Sequence, residues 1–115
     1  MVRGTKCSQI LIDLMKDIYN MRGGSEASKL FLRKTLDIHP FEDISQVESM
    51  SVKHDCSLFI AGQNQKKRPH NLTLGRVYNE HLLDMLEFGI TNYEGIENFK
   101  AIDIDNQLKP ILVFQ

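Results

Sequence analysis

Apolar side chains recur at helical spacing near the start of the chain, just after a short extended segment over residues 2–5. Ser8 is a suitable N-cap for this helix, and Gly23 with Gly24 supplies a C-terminal stop. Between them, apolar residues lie three and four positions apart on one face: Ile10, Leu11, Leu14, Met15, Ile18 and Tyr19. The pattern predicts the end of a strand that turns into an amphipathic helix.

Three later apolar runs predict strands. Residues 57–61 indicate a buried strand, and residues 72–78 indicate a second strand after a polar loop over 62–71. Residues 110–114 form an apolar run close to the end of the sequence, which predicts a final buried strand. The three segments supply the sheet onto which helices are expected to pack.

Two other segments have helical patterns, and one segment stays ambiguous. Ser45 and Glu48 form a capping-box pattern, which predicts a short helix over residues 45–53. Residues 81–88 predict a short amphipathic helix ended by Gly89. Residues 25–38 fit either a second helix or a short strand, and residues 91–108 are polar and irregular.

The predicted order of elements is strand, helix, an open segment, helix, two strands, helix and strand. Alternation of this kind indicates an α/β fold in which helices cover a mixed sheet. A length of 115 residues is that of one domain, and we therefore expect a single unit over residues 1–115.

The charge is ordinary in total but uneven along the chain. The net charge is −1, with 42% hydrophobic and 25% charged residues. Residues 1–76 contain 12 basic and 8 acidic side chains, whereas residues 77–115 contain 2 and 7. This asymmetry indicates one face for a polyanion and another for solvent or a basic partner, or acidic residues that only keep the later elements soluble. Two cysteines argue against a disulfide framework, and no signal peptide or membrane span is visible.

Cations cluster on the polar loop, where Pro69 keeps them out of a helix. Their side chains can neutralise phosphates from a loop without burial of charge. Cations near the first helix start would add to the site if the two strands concerned are neighbours. The candidate RNA-binding residues are Arg3, Lys6, Lys66, Lys67, Arg68, His70, Asn71 and Arg76. The alternative is a solvated hairpin tip whose lysines only aid solubility.

Metal and catalytic sites find little support in the sequence. His54 and Cys56 lie two apart, but no second ligand pair accompanies them, so we predict no metal and no cofactor. Cys7 and Ser8, near a helix start, are candidate nucleophiles, but no known catalytic motif accompanies them. We therefore predict that the chain is not an enzyme.

Several blocks in register resemble the Brix-domain family, in particular its ribosome production factor 2 branch. They are residues 3–5, 8–9, 38–43, 53–59, 66–72, 75–76 and 83–90. The resemblance covers about residues 3–114 and implies an α/β fold related to the anticodon-binding domain of some tRNA synthetases. It also implies that this chain is the N-terminal half of a Brix domain, without the second half and the basic tail.

The resemblance implies a nucleolar, and so nuclear, assembly factor of the large (60S) ribosomal subunit without catalytic activity. Its expected partners are 5S ribosomal RNA or large-subunit pre-rRNA, the 5S-associated ribosomal proteins, and a regulator-of-ribosome-synthesis protein as heterodimer partner. Recruitment of the 5S particle into pre-60S particles and maturation of large-subunit rRNA would follow. The alternative is a protein-interaction module whose basic loop docks an acidic partner without direct RNA binding.

Overall fold

A computed structural model describes residues 1–26, 28–29, 31–100, 109 and 111–114. The elements are β1 (Val2–Gly4), α1 (Gln9–Met21), β2 (Phe31–Leu36), α2 (Ser45–His54), β3 (Leu58–Gln63), β4 (Asn71–Tyr78) and β5 (His81–Gly89). Two short 3₁₀ helices span Gly24–Glu26 and Ile96–Asn98. The expected α/β fold is confirmed, and the ambiguous segment over 25–38 contains a 3₁₀ turn followed by β2.

The five strands form one mixed sheet in the order β2-β1-β3-β4-β5. β1 runs parallel to both β2 and β3, whereas β3, β4 and β5 are joined by antiparallel pairing. Because β1, β2 and β3 are parallel, all three end at the same edge of the sheet. We call this the carboxyl edge, and it is where the loops after these strands meet.

The helices lie on opposite faces of the sheet. On one face, Leu11 and Met15 of α1 pack against Leu72. On the other, Val47 of α2 packs against Val2, Ala61 and Ile38. Strand residues alternate between the two faces, so Gly62, next to Ala61, lies under α1, and a Cβ there would lie 2.9 Å from Met15 Cε. The position needs glycine because the helix packs directly on the strand.

The predicted helix over 81–88 is wrong, since these residues form strand β5. Asn79 and Glu80 have φ of 48° and 68°, and they join β4 to β5 in a two-residue turn between the paired Tyr78 and His81. Two adjacent residues with positive φ are the signature of a type I′ hairpin turn. The short apolar run is compatible with both the helical and the strand period. It forms a strand because the free edge of β4 supplies backbone hydrogen bonds.

Two further expectations need correction. Residues Ile111–Phe114 are not in a strand, and their side chains are exposed, Phe114 to 89%. Pro110, like residues 101–108, lies outside the described part of the chain. An apolar run becomes a buried strand only where a sheet edge accepts it. The capping box also does not form, because Ser45 is the first residue of α2. Glu48 Oε1 instead accepts the backbone N–H of Leu82 at 2.8 Å.

Candidate nucleic-acid interface

The basic loop comprises residues 64–70, between β3 and β4 at the carboxyl edge. Backbone N–H groups of Gln65 and Arg68 each donate to the other residue's carbonyl oxygen, at 3.2 and 3.1 Å. This reciprocal pair closes a tight turn and holds Lys66 and Lys67 at its tip. Both lysines are exposed, and neither forms an ion pair with any described residue. The loop therefore presents two exposed cations to solvent from a hydrogen-bonded turn.

The loop is attached to the segment that leads into α1. The backbone N–H of Asn64 donates to the Lys6 carbonyl oxygen at 2.6 Å, and Ser8 Oγ shares a hydrogen bond of 2.8 Å with His70 Nδ1. The N–H of His70 in turn donates to Asn64 Oδ1 at 3.0 Å. The condition set from the sequence is thus met: β1 and β3 are neighbours, and their cation-bearing segments adjoin.

This position is favourable for ligand binding on topological grounds. The chain moves from β1 to β2 on one side of the sheet and returns to β3 on the other side of β1. Open α/β sheets bind ligands outside the carboxyl ends of strands at such a reversal. Arg3 lies on β1, partly exposed, and Lys6 follows it, exposed, so both stand close to the basic loop.

Arg68 and Arg76 are both engaged by carboxylates of β5. Arg68 Nη1 lies 3.0 Å from Glu87 Oε1, and Arg76 forms a two-point contact with Asp84, with Nε–Oδ1 at 2.8 Å. The Arg76 hydrogen bonds lower the pKa of the Asp84 carboxyl, and Asp84 raises the pKa of Arg76. The sequence predicts a helix over residues 81–88, so the role of these acidic residues as arginine partners became visible only with β5.

The structure separates Arg76 from the other candidate residues. Arg76 pairs with Leu58 at the beginning of β3, whereas the basic loop follows Gln63 at the end of that strand. Arg76 lies five positions after Asn71 along β4, which corresponds to about 17 Å at 3.4 Å per residue. Asn71 itself is only 8% exposed, and its Oδ1 accepts a hydrogen bond from Thr73 Oγ1. The accessible donors at the carboxyl edge are therefore the cations of the loop and of the β1–α1 segment.

Comparison with known proteins decides the family. The Brix domain family model matches residues 4–115. The chain belongs to the Brix domain family. Proteins named ribosome production factor 2 homolog are 44% identical in Chaetomium thermophilum, 40% in Schizosaccharomyces pombe and 36% in Homo sapiens, over 98 to 99% of this chain. The chain spans about a third of their length, 32, 35 and 36% respectively.

Neither candidate nucleophile of this Brix chain has the surroundings of a catalytic group. Burial raises the pKa of the Cys7 thiol, and it outweighs the opposite effect of the nearby Arg3 charge. A thiol with a raised pKa stays protonated near neutral pH and is a poor nucleophile. Ser8 does contact His70, but no described carboxylate bonds to that ring to orient it as a base. The contact instead fastens the basic loop.

The described residues of the Brix chain contain no group of three or more His, Cys, Asp or Glu side chains that could hold a metal ion. Cys56 Sγ donates to the carbonyl oxygen of His54 at 3.3 Å, a local contact that fits a structural thiol. A search of the same residues finds no helix of the length and apolarity that a membrane crossing requires.

Sequence reasoning missed the segment over residues 37–43 as part of this site. His39 and Phe41 follow β2 at the carboxyl edge, and Gln65 of the basic loop bonds to the His39 ring at 3.0 Å. The block 38–43 contributed to the family resemblance, but its composition has no charge pattern that indicates binding. Only the parallel arrangement of β2 and β3 brings it to the basic loop.

Proposed function

We propose that this chain is an RNA-binding, non-catalytic part of a ribosome biogenesis factor of the large (60S) subunit. One observation supports this most directly: the basic loop is braced against the β1–α1 segment at the carboxyl edge, with Lys66 and Lys67 exposed. A hydrogen-bonded backbone with exposed cations suits contact with phosphates, whose neutralisation releases counterions. Membership of the Brix family and relatives named as ribosome production factors support the biological setting.

The finer assignment follows the resemblance of the sequence blocks to the ribosome production factor 2 branch. The chain would act in the nucleolus on 5S ribosomal RNA or large-subunit pre-rRNA, with the 5S-associated ribosomal proteins and a regulator-of-ribosome-synthesis protein as partners. Its mechanism would be scaffolding, because phosphate contacts fix the RNA on one side while another surface holds protein. Recruitment of the 5S particle to pre-60S particles, and maturation of their rRNA, would be the outcome.

We also propose that the chain corresponds to the N-terminal half of a Brix domain. The share of the relatives that it spans supports this, and so do apolar side chains on β5 that no described residue covers: Leu83 is 59%, Leu86 65% and Phe88 45% exposed. The reading frame downstream of Gln115 tests the proposal. A second α/β unit encoded there would support it, and an unrelated downstream sequence would contradict it.

The RNA role is tested by the salt dependence of binding. The probes are 5S ribosomal RNA and an unrelated structured RNA of equal length, measured between 50 and 200 mM salt with Kd as the readout. Lys66→Ala with Lys67→Ala should weaken binding and reduce the slope of log K against log salt by roughly 1.4, about 0.7 for each contact to a single strand. Lys53→Ala with Lys100→Ala, two exposed lysines elsewhere, is the control with equal charge change. Equal salt slopes for the two double variants would show that the basic loop does not contact RNA phosphates.

A protein-interaction module remains the second candidate, and the Arg68–Glu87 contact favours it specifically. That pair shows that the loop already accommodates a carboxylate at 3.0 Å. In this case an acidic segment of a partner protein would occupy the loop in place of phosphate. Binding to a poly-glutamate peptide that depends on Lys66 and Lys67, together with no measurable RNA binding, would favour the module.

A further inference from the structure

A cavity of about 190 Å³ lies between the basic loop and the segment 37–43, at the carboxyl edge. We call it the loop pocket. Its walls combine amides, an aromatic ring and cations: His39, Phe41, Gln63, Gln65, Lys67 and Arg68. Two carboxylates, Glu42 and Glu87, also line the cavity, and Glu87 is paired with Arg68. The pocket therefore opens directly beside the cations that we propose to contact phosphate.

The amides in the loop pocket are oriented by a directed chain of hydrogen bonds. His39 Nε2 donates to Asp37 Oδ1 at 3.1 Å, which leaves His39 Nδ1 to accept from Gln65 Nε2 at 3.0 Å. The second hydrogen on Gln65 Nε2 is donated to Gln63 Oε1 at 3.3 Å. The carboxylate of Asp37 thus sets the histidine tautomer, and the tautomer sets the direction of both amides.

The side chain of Gln63 packs against Gly4 of the neighbouring strand β1. Its Cγ lies 2.7 Å from the point where a Cβ on Gly4 would stand. Any side chain on β1 at this position would therefore push the amide out of the pocket. Because Gly4 has no side chain, Gln63 can occupy this space beside β1.

Two polar atoms of this amide pair remain available. Gln63 Nε2 and Gln65 Oε1 bond to no described residue, and neither is a buried unsatisfied atom, so both are accessible to solvent on residues that line the pocket. They offer one donor and one acceptor at fixed positions. A nucleobase edge presents donors and acceptors side by side, and glutamine amides are common partners for it.

Phe41 supplies the surface that a planar ligand needs. It follows the buried Pro40 in a turn and is 50% exposed, although it is a large apolar side chain. Exposed aromatic rings next to cations are typical of sites that bind single-stranded nucleic acid, because bases stack on the ring while the cations follow the backbone. A phosphate of the same nucleotide would lie within reach of Lys67 and Arg68.

We propose that the loop pocket receives one unstacked nucleobase of single-stranded RNA. Phe41 stacks on the base, Gln63 and Gln65 hydrogen-bond its edge, and Lys67 with Arg68 contacts the flanking phosphates. The inference rests on the proposed RNA-binding function and adds to it a base-contacting site. Phosphate contacts alone would leave Phe41 and the amides without a role.

The test compares two phenylalanine variants on a defined RNA. The probe is a ten-nucleotide oligouridine with one central 2-aminopurine, whose fluorescence falls when the base is immobilised against a ring. Wild-type protein should quench it, and Phe41→Leu should abolish the quench and weaken binding about 5- to 150-fold, the effect of losing one base–aromatic stack. The salt slope should not change, because no charge is lost. Phe41→Tyr should restore both signals, and Phe99→Leu, at a ring 60% exposed outside the pocket, should behave as wild type.

The outcomes separate the pocket from the proposed function. If Phe41→Leu binds and quenches as wild type does, while the Lys66/Lys67 variant loses salt slope, the loop pocket is not a base site and the RNA role stands. If Phe41→Leu and Phe99→Leu lose affinity equally, stacking in the pocket is also overturned. If wild-type protein binds no RNA at all, both proposals fall together.

Discussion

Ser8 and His70 are 62 residues apart in sequence and share a hydrogen bond of 2.8 Å between Oγ and Nδ1. Ser8 occupies the N-cap position of α1 but makes no side-chain bond to the helix backbone. Its hydroxyl instead holds the last residue of the basic loop, where His70 has a φ of 47°. A direct hydrogen bond therefore joins the start of the first helix to the candidate RNA-binding loop.

Removing this bond should loosen the loop without a change in its charge. Ser8→Ala is expected to lower the free energy of unfolding by about 1 kcal/mol, the usual net value of one hydrogen bond. RNA affinity should fall several-fold because the loop must then be ordered on binding, while the salt slope stays the same. Denaturant unfolding and RNA titration measure the two effects. Ser49→Ala, on the exposed side of α2, is the control, and an identical response from it would refute the link.

Glu87 should act as a brake on RNA binding, since it occupies Arg68 beside the exposed lysines. Glu87→Gln releases that guanidinium and should raise RNA affinity at low salt, with a slope steeper by about 0.7 for one added phosphate contact. Stability should change by less than about 1 kcal/mol, because the pair is largely exposed.

Asp84→Asn provides the matched control for this prediction. It removes the same charge and releases Arg76, which lies at the other end of the sheet from the basic loop. We expect little change in RNA binding. If both variants gain the same RNA affinity, the gain comes from net charge and not from the release of Arg68 in the basic loop.

A glycine in the turn between β4 and β5 should stabilise the chain. Glu80 has a φ of 68°, a left-handed conformation that favours glycine, and Asn-Gly is the preferred pair for this type of turn. Glu80→Gly should raise the free energy of unfolding by about 1 kcal/mol, the cost that a non-glycine residue bears there. Chemical denaturation measures it. Glu94→Gly, at an exposed position outside the positive-φ residues, should give no gain, and a gain of equal size there would contradict the turn geometry.

Tyr93 should titrate later than an ordinary tyrosine. Its hydroxyl donates to Asp17 Oδ2 at 2.5 Å, and this bond is the main cause that raises the pKa of Tyr93 to about 12. The folded chain holds this proton more tightly than the unfolded chain does. The contribution to stability is therefore complete below pH 10 and declines as the pH rises from about 10 towards 12.

Ultraviolet titration of phenolate absorbance measures this pKa. Asp17→Asn, which removes the negative charge from the acceptor, should bring the pKa of Tyr93 back towards 10. An unchanged late-titrating phenol in the variant would show that Asp17 is not the cause.

Much of the architecture was predictable because local patterns agree with the final environment. Each of these elements has a single sequence period that agrees with its burial in the core. They are the apolar stripe of α1 from Leu11 to Ile18, the strands around Phe59 and Leu74, and the short helix near Val47. Residues 81–88 were not predictable in the same way. Their apolar positions suit two periods, and the choice depends on a neighbouring strand that the local sequence does not show.

The sequence by itself determined that this chain is an α/β domain of the Brix family with three adjacent cations on one loop. Those properties reside in periodicity and in blocks of residues, which need no knowledge of distant contacts. Tertiary structure decided the rest. Parallel pairing of β1, β2 and β3 brought Ser8, His39 and Phe41 to the basic loop, and the β4–β5 hairpin placed Glu87 on Arg68 while it separated Arg76 from the loop. The physical reason is that hydrogen bonds and ion pairs act over a few ångströms, and only folding brings residues that are remote in sequence within that range.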